Sequence, residues 1–134
     1  MSGSKSKPLP PQAVTELAKV ASWLQSEEAD FQYANNINIC NNKEGLTTAA
    51  NDLIKQFATE ITPASSENRV TAIHFSNPAI VPVERGWTVY MIPVCVVGDT
   101  AVVEGRELNE GFYYHLEGNT QVSGDFFAVL MLSR

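Results

Sequence analysis

The stretch from Gly111 to Leu132 contains most of the side chains in this sequence that could carry out chemistry. Tyr113 and His115 lie two residues apart on a predicted strand, and Asp125 follows ten residues later. The other histidine, His74, lies near the end of an earlier predicted strand. A histidine beside a tyrosine or a carboxylate can act as a general base near neutral pH. His74, His115 and Asp125 are therefore the candidate catalytic residues; the simpler alternative is that these strand histidines only make structural hydrogen bonds.

Patterns typical of other chemistry are absent from the sequence. It contains no Gly-x-Ser-x-Gly, no P-loop and no Gly-x-Gly-x-x-Gly spacing. Cys40 and Cys95 lie far apart and have no partner at metal-ligand spacing, so we expect two reduced thiols in a cytoplasmic protein; the alternative is a single disulfide between them. Two histidines make a metal site only with a convergent carboxylate such as Asp125 or Glu117, which sequence cannot place. We predict no metal and no cofactor.

Length and charge limit the class of protein. With 134 residues, of which 44% are hydrophobic, the chain can form one domain around one core. The net charge of −6 comes from scattered acidic residues and argues against a nucleic-acid-binding surface, which needs clustered Lys and Arg. No apolar run approaches the roughly 18 residues of a membrane helix. We expect a soluble, cytoplasmic protein that binds neither nucleic acid nor membrane.

The N-terminal half has the pattern of helices. Residues 1–10 are predicted to be a flexible arm, and residues 11–134 a single α+β domain. Apolar residues at helical spacing predict a first helix over 11–27, with Pro11 in its first turn.

A second helix is predicted with Thr47 or Thr48 as its cap, and Pro63 should end it. Between the helices, the asparagine-rich segment 29–45 is compatible with either an irregular edge strand or a frayed helical piece.

From residue 68 onward the apolar period changes from 3.6 to 2, which is typical of strands. Gly98-Asp99 and Gly118-Asn119 suit two-residue hairpin turns. Pro93 predicts a bulge, an edge strand or a break between 87–92 and 94–97, and Ser123-Gly124 predicts a bend in the last strand. The expected fold is two N-terminal helices packed on a curved, mainly antiparallel meander sheet of about five strands. The predicted strands cover 69–75, 86–97, 100–104, 111–117 and 120–132.

Two of these strands are apolar on both faces. Neither 87–97 nor 125–132 alternates between apolar and polar residues, and this is typical of strands buried on both sides. Two helices can cover one face of the sheet. The other face would be an apolar patch larger than a monomer tolerates. A second copy, a different protein, or curvature around a ligand cavity could cover it, and homodimers are the commonest of these solutions.

These observations favour a non-catalytic protein–protein interaction or assembly module that buries one sheet face against itself or a partner. An inhibitor, an accessory protein or a structural protein of a phage or virus would fit. Phe126 and Phe127 should point to opposite faces. The candidate interface residues are aromatic, the type that dominates binding hot spots: Trp87, Tyr90, Tyr113, Tyr114, Phe126 and Phe127.

The alternative is a small-ligand-binding protein or enzyme with a cavity between the helices and the curved sheet. A concave pocket of a few hundred Å³ with converging polar groups would favour it. A flat apolar face paired with a copy of itself would favour the interaction module. The cavity would be lined by His74, Tyr90, Tyr113, His115 and Asp125.

Overall fold

The computed structural model describes residues 5–34, 37–58, 68–98 and 100–133. Within these ranges it contains two α-helices, one 3₁₀ turn and eleven strands. The helices are α1 (Pro11–Leu24) and α2 (Lys43–Ala58), and the 3₁₀ turn is Glu27–Ala29. The strands are β1 (Lys5–Pro8), β2 (Phe31–Ala34), β3 (Ile37–Cys40), β4 (Asn68–Phe75), β5 (Ala79–Val81), β6 (Thr88–Val96), β7 (Val102–Val103), β8 (Arg106–Glu107), β9 (Phe112–Leu116), β10 (Thr120–Ser123) and β11 (Phe126–Ser133).

The strands form two antiparallel sheets. The large sheet has the order β1-β9-β6-β11-β4-β3-β2, and the small sheet has the order β5-β10-β7-β8. The predicted α+β class is confirmed, but the single meander of about five strands is wrong. Most successive strands after β4 lie in different sheets, so β6 and β7 do not form a hairpin, and neither do β9 and β10. Asp99 itself lies outside the described residues.

The second face of the large sheet is covered by the chain itself. Phe127 packs into the core between the helices and the large sheet, whereas Phe126 packs into the core between the two sheets. The two phenylalanines thus point to opposite faces, as predicted. Because the small sheet buries the second face, the two-sided apolar pattern is explained without a second copy of the chain, and the oligomeric state stays a prediction.

The helix ends differ from those predicted. α1 begins at Pro11 and ends at Leu24, where the N–H groups of Gln25 and Ser26 bond back to carbonyls of the last turn. α2 begins four residues before Thr47. Its cap is Asn42, whose side-chain oxygen accepts the Gly45 N–H at 3.0 Å. The predicted end of this helix at Pro63 lies outside the described residues.

Thr47 and Thr48 lie inside the first turns of α2 instead of capping it. Their hydroxyls donate to the carbonyls of Lys43 and Glu44, four residues earlier, at 2.8 and 3.2 Å. Such backward bonds satisfy threonine hydroxyls within a helix. Both threonine hydroxyls therefore bond to carbonyls within α2, and neither threonine caps the helix.

Short strands complete both ends of the large sheet. Residues 31–40 contain the β2–β3 hairpin at one edge, which confirms the strand alternative for this segment. Residues 5–8 were predicted to be part of a flexible arm, but they form β1 at the other edge. Backbone pairing with β9 explains the difference, because without β1 the side of β9 that faces away from β6 would have no strand to pair with.

The predicted bulge at Pro93 is confirmed. The pairing of β11 with β6 changes register there, from Phe127 opposite Cys95 to Ala128 opposite Pro93, so Val94 is the extra residue. Proline has no N–H to give to the ladder, which suits an irregular position. No helix in the described ranges is both long enough and apolar enough to cross a membrane.

The inter-sheet core predicts a large effect for Phe126→Ala. Phe126 is fully buried and stacks on Phe75 with ring centroids 4.8 Å apart. Removing this ring should lower the free energy of unfolding, measured by urea denaturation, by about 3–5 kcal/mol relative to the wild type. Ile80→Ala is the control because Ile80 is 59% exposed on β5, and it should cost less than about 0.5 kcal/mol. Equal small losses in both variants would contradict the two-layer core.

Candidate binding groove at the end of the large sheet

A groove of about 390 Å³ lies between the end of α1 and the large sheet, at the end of the inner strands β4 and β11 where β4 ends and β11 begins. Its floor holds His74, Asp125 and Phe127. The residues after the last turn of α1 and the first residue of β2 form its walls, and Val97 lies beside the opening, half-exposed. The complete set of lining residues is Leu24, Gln25, Ser26, Phe31, His74, Val97, Asp125 and Phe127.

His74 and Asp125 form a hydrogen-bonded pair in this groove. The distance from Nε2 of His74 to Oδ1 of Asp125 is 2.7 Å, and the two side chains are 26% and 41% exposed. An ionised carboxylate can only accept, so Nε2 is the donor. The neutral imidazole then carries its proton on Nε2 and presents Nδ1 as an acceptor. The pair therefore fixes the tautomer of His74.

The path of the backbone places Asp125. Predicted as one bent strand, 120–132 is instead two strands in different sheets, separated by Gly124 and Asp125. Gly124 has φ +104°, and a Cβ there would lie 2.7 Å from the Cα of Ala101. Only glycine fits this crossing without strain. Asp125 follows at once and thereby reaches the end of β4.

Aromatic packing orients His74. Its ring stacks on Phe127, with centroids 4.0 Å apart and planes 7° apart. Phe31 meets the ring of Phe127 edge-on at 5.7 Å. Since Phe127 is opposite His74 in the β11–β4 register, the stack follows directly from strand pairing. The imidazole is thus held on one side by an aromatic ring and at Nε2 by a carboxylate.

The other residues predicted to line the cavity lie elsewhere. His115 stacks on Tyr90 at 4.9 Å, and its Nδ1 lies 3.9 Å from Oε1 of Glu117. Tyr113 packs edge-on against Phe57 at 4.7 Å. β9, which carries His115, is separated from β4 by two strands. The structure therefore brings His74 and Asp125 together and leaves Tyr90, Tyr113 and His115 out of the groove.

Most of the candidate interface residues pack within the chain. Tyr113, Tyr114, Phe126 and Phe127 are buried in its two cores. Trp87 and Tyr90 remain partly exposed, and Arg69 lies over the Trp87 ring at 5.5 Å. Of these six aromatic residues, Trp87 and Tyr90 keep surface that another molecule could contact, and their role in association stays a prediction.

The cysteines are two separate thiols, as expected. Cys40 is buried and donates to the carbonyl of Ala29 at 3.1 Å. Cys95 lies beside the groove, where its sulfur accepts from the Gln25 amide at 3.6 Å. Burial raises the pKa of Cys95, and the carboxylates of Glu110 and Asp125 raise it further. The thiol form is therefore favoured, which does not suit a nucleophile.

Several groove residues were missed by reasoning from sequence. Gln25 and Ser26 follow α1, Phe31 begins β2, and Val97 follows β6. Each had been read as part of a helix, an undecided segment or a strand. The signal that could have found them is the helix end, since a helix stopping at Leu24 leaves polar residues close to the sheet. In the described ranges, no group of three or more His, Cys, Asp or Glu residues could hold a metal ion.

Comparison with known proteins gives the fold alone. No family model and no curated protein matches the chain. A prolyl-4-hydroxylase from Pseudomonas putida matches all of this chain and 93% of its own, with a TM-score of 0.61 and 9% identity. A quercetin 2,3-dioxygenase from Acinetobacter baumannii matches 78% of this chain and 33% of its own, with a TM-score of 0.45 and 8% identity. The first likeness supports the fold described above, and the second is too weak to carry an argument.

Proposed function

We propose that the protein is a non-catalytic binding protein that holds a small ligand in the groove beside His74 and Asp125. The observation that carries the proposal is a concave site of about 390 Å³ in which polar side chains converge between a helix end and the sheet. Small-molecule sites typically occupy about 300–1,000 Å³ and combine apolar walls with a few placed polar groups. The groove fits both criteria.

The layer structure supports this proposal over a face-to-face dimer. A dimer was expected because one sheet face had no cover, and the small sheet supplies that cover. The side chains that fill the space between the two sheets are apolar or aromatic, so that space is a packed core. The groove lies on the helix side instead, where His74 and Asp125 remain accessible.

The chemistry of the groove supports recognition rather than covalent catalysis. Asp125 and Phe127 hold His74 in one orientation, which suits specific hydrogen bonding to a ligand. The nearby thiol of Cys95 has a raised pKa and is hydrogen-bonded to Gln25. The 9% identity to a prolyl-4-hydroxylase transfers no activity to this chain.

Blocking the groove from its rim tests the proposal. Fragment-sized compounds titrated into ¹⁵N-labelled protein should shift the amide signals of residues 24–26, 97 and 125. Val97→Trp should weaken those fragments at least tenfold because the indole would occupy the opening, while Val97 is 51% exposed and contributes little to the core. Ile80→Trp is the matched control, with a 59% exposed β-branched residue on the small sheet, and it should leave affinities unchanged.

The proposal fails if fragments bind elsewhere, for example around Trp87, or if both tryptophan variants bind them as the wild type does. Circular dichroism melts of the two variants confirm that each is folded. A loss of binding in Ile80→Trp alone would likewise place the site on the small sheet and contradict the groove.

A protein–protein interaction module is the second candidate. Tyr33, two residues from Phe31 on β2, is 66% exposed, and Val97, which lines the groove, is 51% exposed, so both could contact a partner protein. If the partner is a second copy, light scattering at micromolar concentration should give twice the chain mass of 14.7 kDa. A single-chain mass at that concentration would contradict self-association.

A further inference from the structure

The polar groups of the groove have spare hydrogen-bond acceptors. Nε2 of His74 is used by Asp125, and no described residue bonds its Nδ1. The hydroxyl of Ser26 donates to the carbonyl of Trp23 at 2.6 Å, which leaves only oxygen lone pairs facing a ligand. One N–H of Gln25 is used on the sulfur of Cys95. Gln25 keeps one N–H and its amide oxygen, so acceptors outnumber donors among these groups, which favours a ligand that supplies donors.

The end of α1 adds a negative electrostatic potential. The helix ends at Leu24, and its last turn contains no basic residue. Gln25 and Ser26, which follow it, line the groove. The last carbonyls of an α-helix carry roughly half a negative charge between them, and this favours a cation within the first few ångströms. In this helix no lysine or arginine of the last turn supplies that cation.

Fixed charges around the groove have the same sign. Asp125 lines it, and none of the residues described as lining it is lysine or arginine. The 3₁₀ turn that follows Ser26 carries Glu27 and Glu28, and Asp30 precedes Phe31. The carboxylates, the helix end and the spare acceptors are three separate features, and all of them favour a positively charged donor.

The walls suit an apolar stem. Phe31 is partly exposed and presents aromatic surface, and Val97 is half-exposed and presents aliphatic surface. Aromatic faces also attract cations. A ligand with a charged head and an apolar body can therefore contact both kinds of surface at once.

We propose that the groove binds a small organic cation, an ammonium or guanidinium group on an apolar stem. The proposal rests on the function proposed above and names its ligand class. The cationic head donates to the free carboxylate oxygen of Asp125, and the stem lies against Phe31 and Val97. No bond is formed or broken.

Three probes of similar size, of which benzylamine and benzyl alcohol also share their shape, test the charge requirement. Benzylamine, benzyl alcohol and benzoate are titrated separately into ¹⁵N-labelled full-length protein, and dissociation constants are taken from the amide shifts of residues 24–26 and 125. Benzylamine should bind at least tenfold more tightly than the other two. Raising NaCl from about 50 to 500 mM should weaken benzylamine severalfold and leave benzyl alcohol unchanged, since salt screens only the charged pair.

Asp125→Asn removes the charge and keeps the side-chain shape, so benzylamine affinity should fall at least tenfold while benzyl alcohol affinity is retained. Glu117→Gln is the matched control because Glu117 lies beside His115, away from the groove, and it should change neither. Should Asp125→Asn not fold, the salt series on the wild type decides the question alone.

The outcomes separate the two proposals. If benzoate or benzyl alcohol binds in the groove as tightly as benzylamine, the cation proposal is overturned and the binding groove stands. If no probe shifts the groove signals, both are overturned. If an acetylated and amidated Gly-Arg-Gly peptide binds more than tenfold more tightly than benzylamine, the cation belongs to a partner protein. The proposal that the ligand is a small molecule is then overturned.

Discussion

Both faces of β6 and β11 must be removed from water, and the rest of the structure depends on this constraint. The side chains of β11 are buried on either side of the strand, Phe127 toward the helices and Phe126 toward the small sheet. One layer can cover only one face of a sheet, so burial of both faces requires two covering layers. The helices form one layer. The small sheet forms the other, because most strands after β4 alternate between the two sheets.

One of the crossings between the sheets, from β10 to β11, forms part of the groove. The chain leaves β10 in the small sheet and enters β11 in the large sheet within two residues, Gly124 and Asp125. The close approach of Gly124 to Ala101 makes the crossing tight. A polar residue at this position cannot enter either core, so Asp125 remains at the sheet end and bonds His74. The end of α1 and the residues after it form the opposite side of the groove.

The sequence predicts strands and helices well where one periodicity dominates. The stripe after Pro11, the strand at 69–75 and the bulge at Pro93 are all present in the structure. The helix cap at Asn42 was missed because asparagine favours turns as well as caps, and the surrounding segment contains several asparagines.

Strand pairing could not be derived in the same way. A glycine-containing turn between two apolar runs suits a hairpin and a crossing between sheets equally well, so 118–119 was assigned to the wrong connection. For the same reason, His74, His115 and Asp125 were all candidate catalytic residues, and the sequence could not show which of them lie close together. Register decides that His74 meets Asp125, and that His115 meets Tyr90.

Asp125 fixes His74 with its proton on Nε2 and leaves Nδ1 as an acceptor. A long-range ¹H–¹⁵N NMR spectrum of the imidazole rings tests it directly, because the chain has two histidines and His115 serves as an internal reference. At a pH where His74 is neutral, the account predicts a single Nε2–H tautomer for His74 that becomes a mixture in Asp125→Asn. An Nδ1–H tautomer in the wild type, or a mixture already present there, would contradict it.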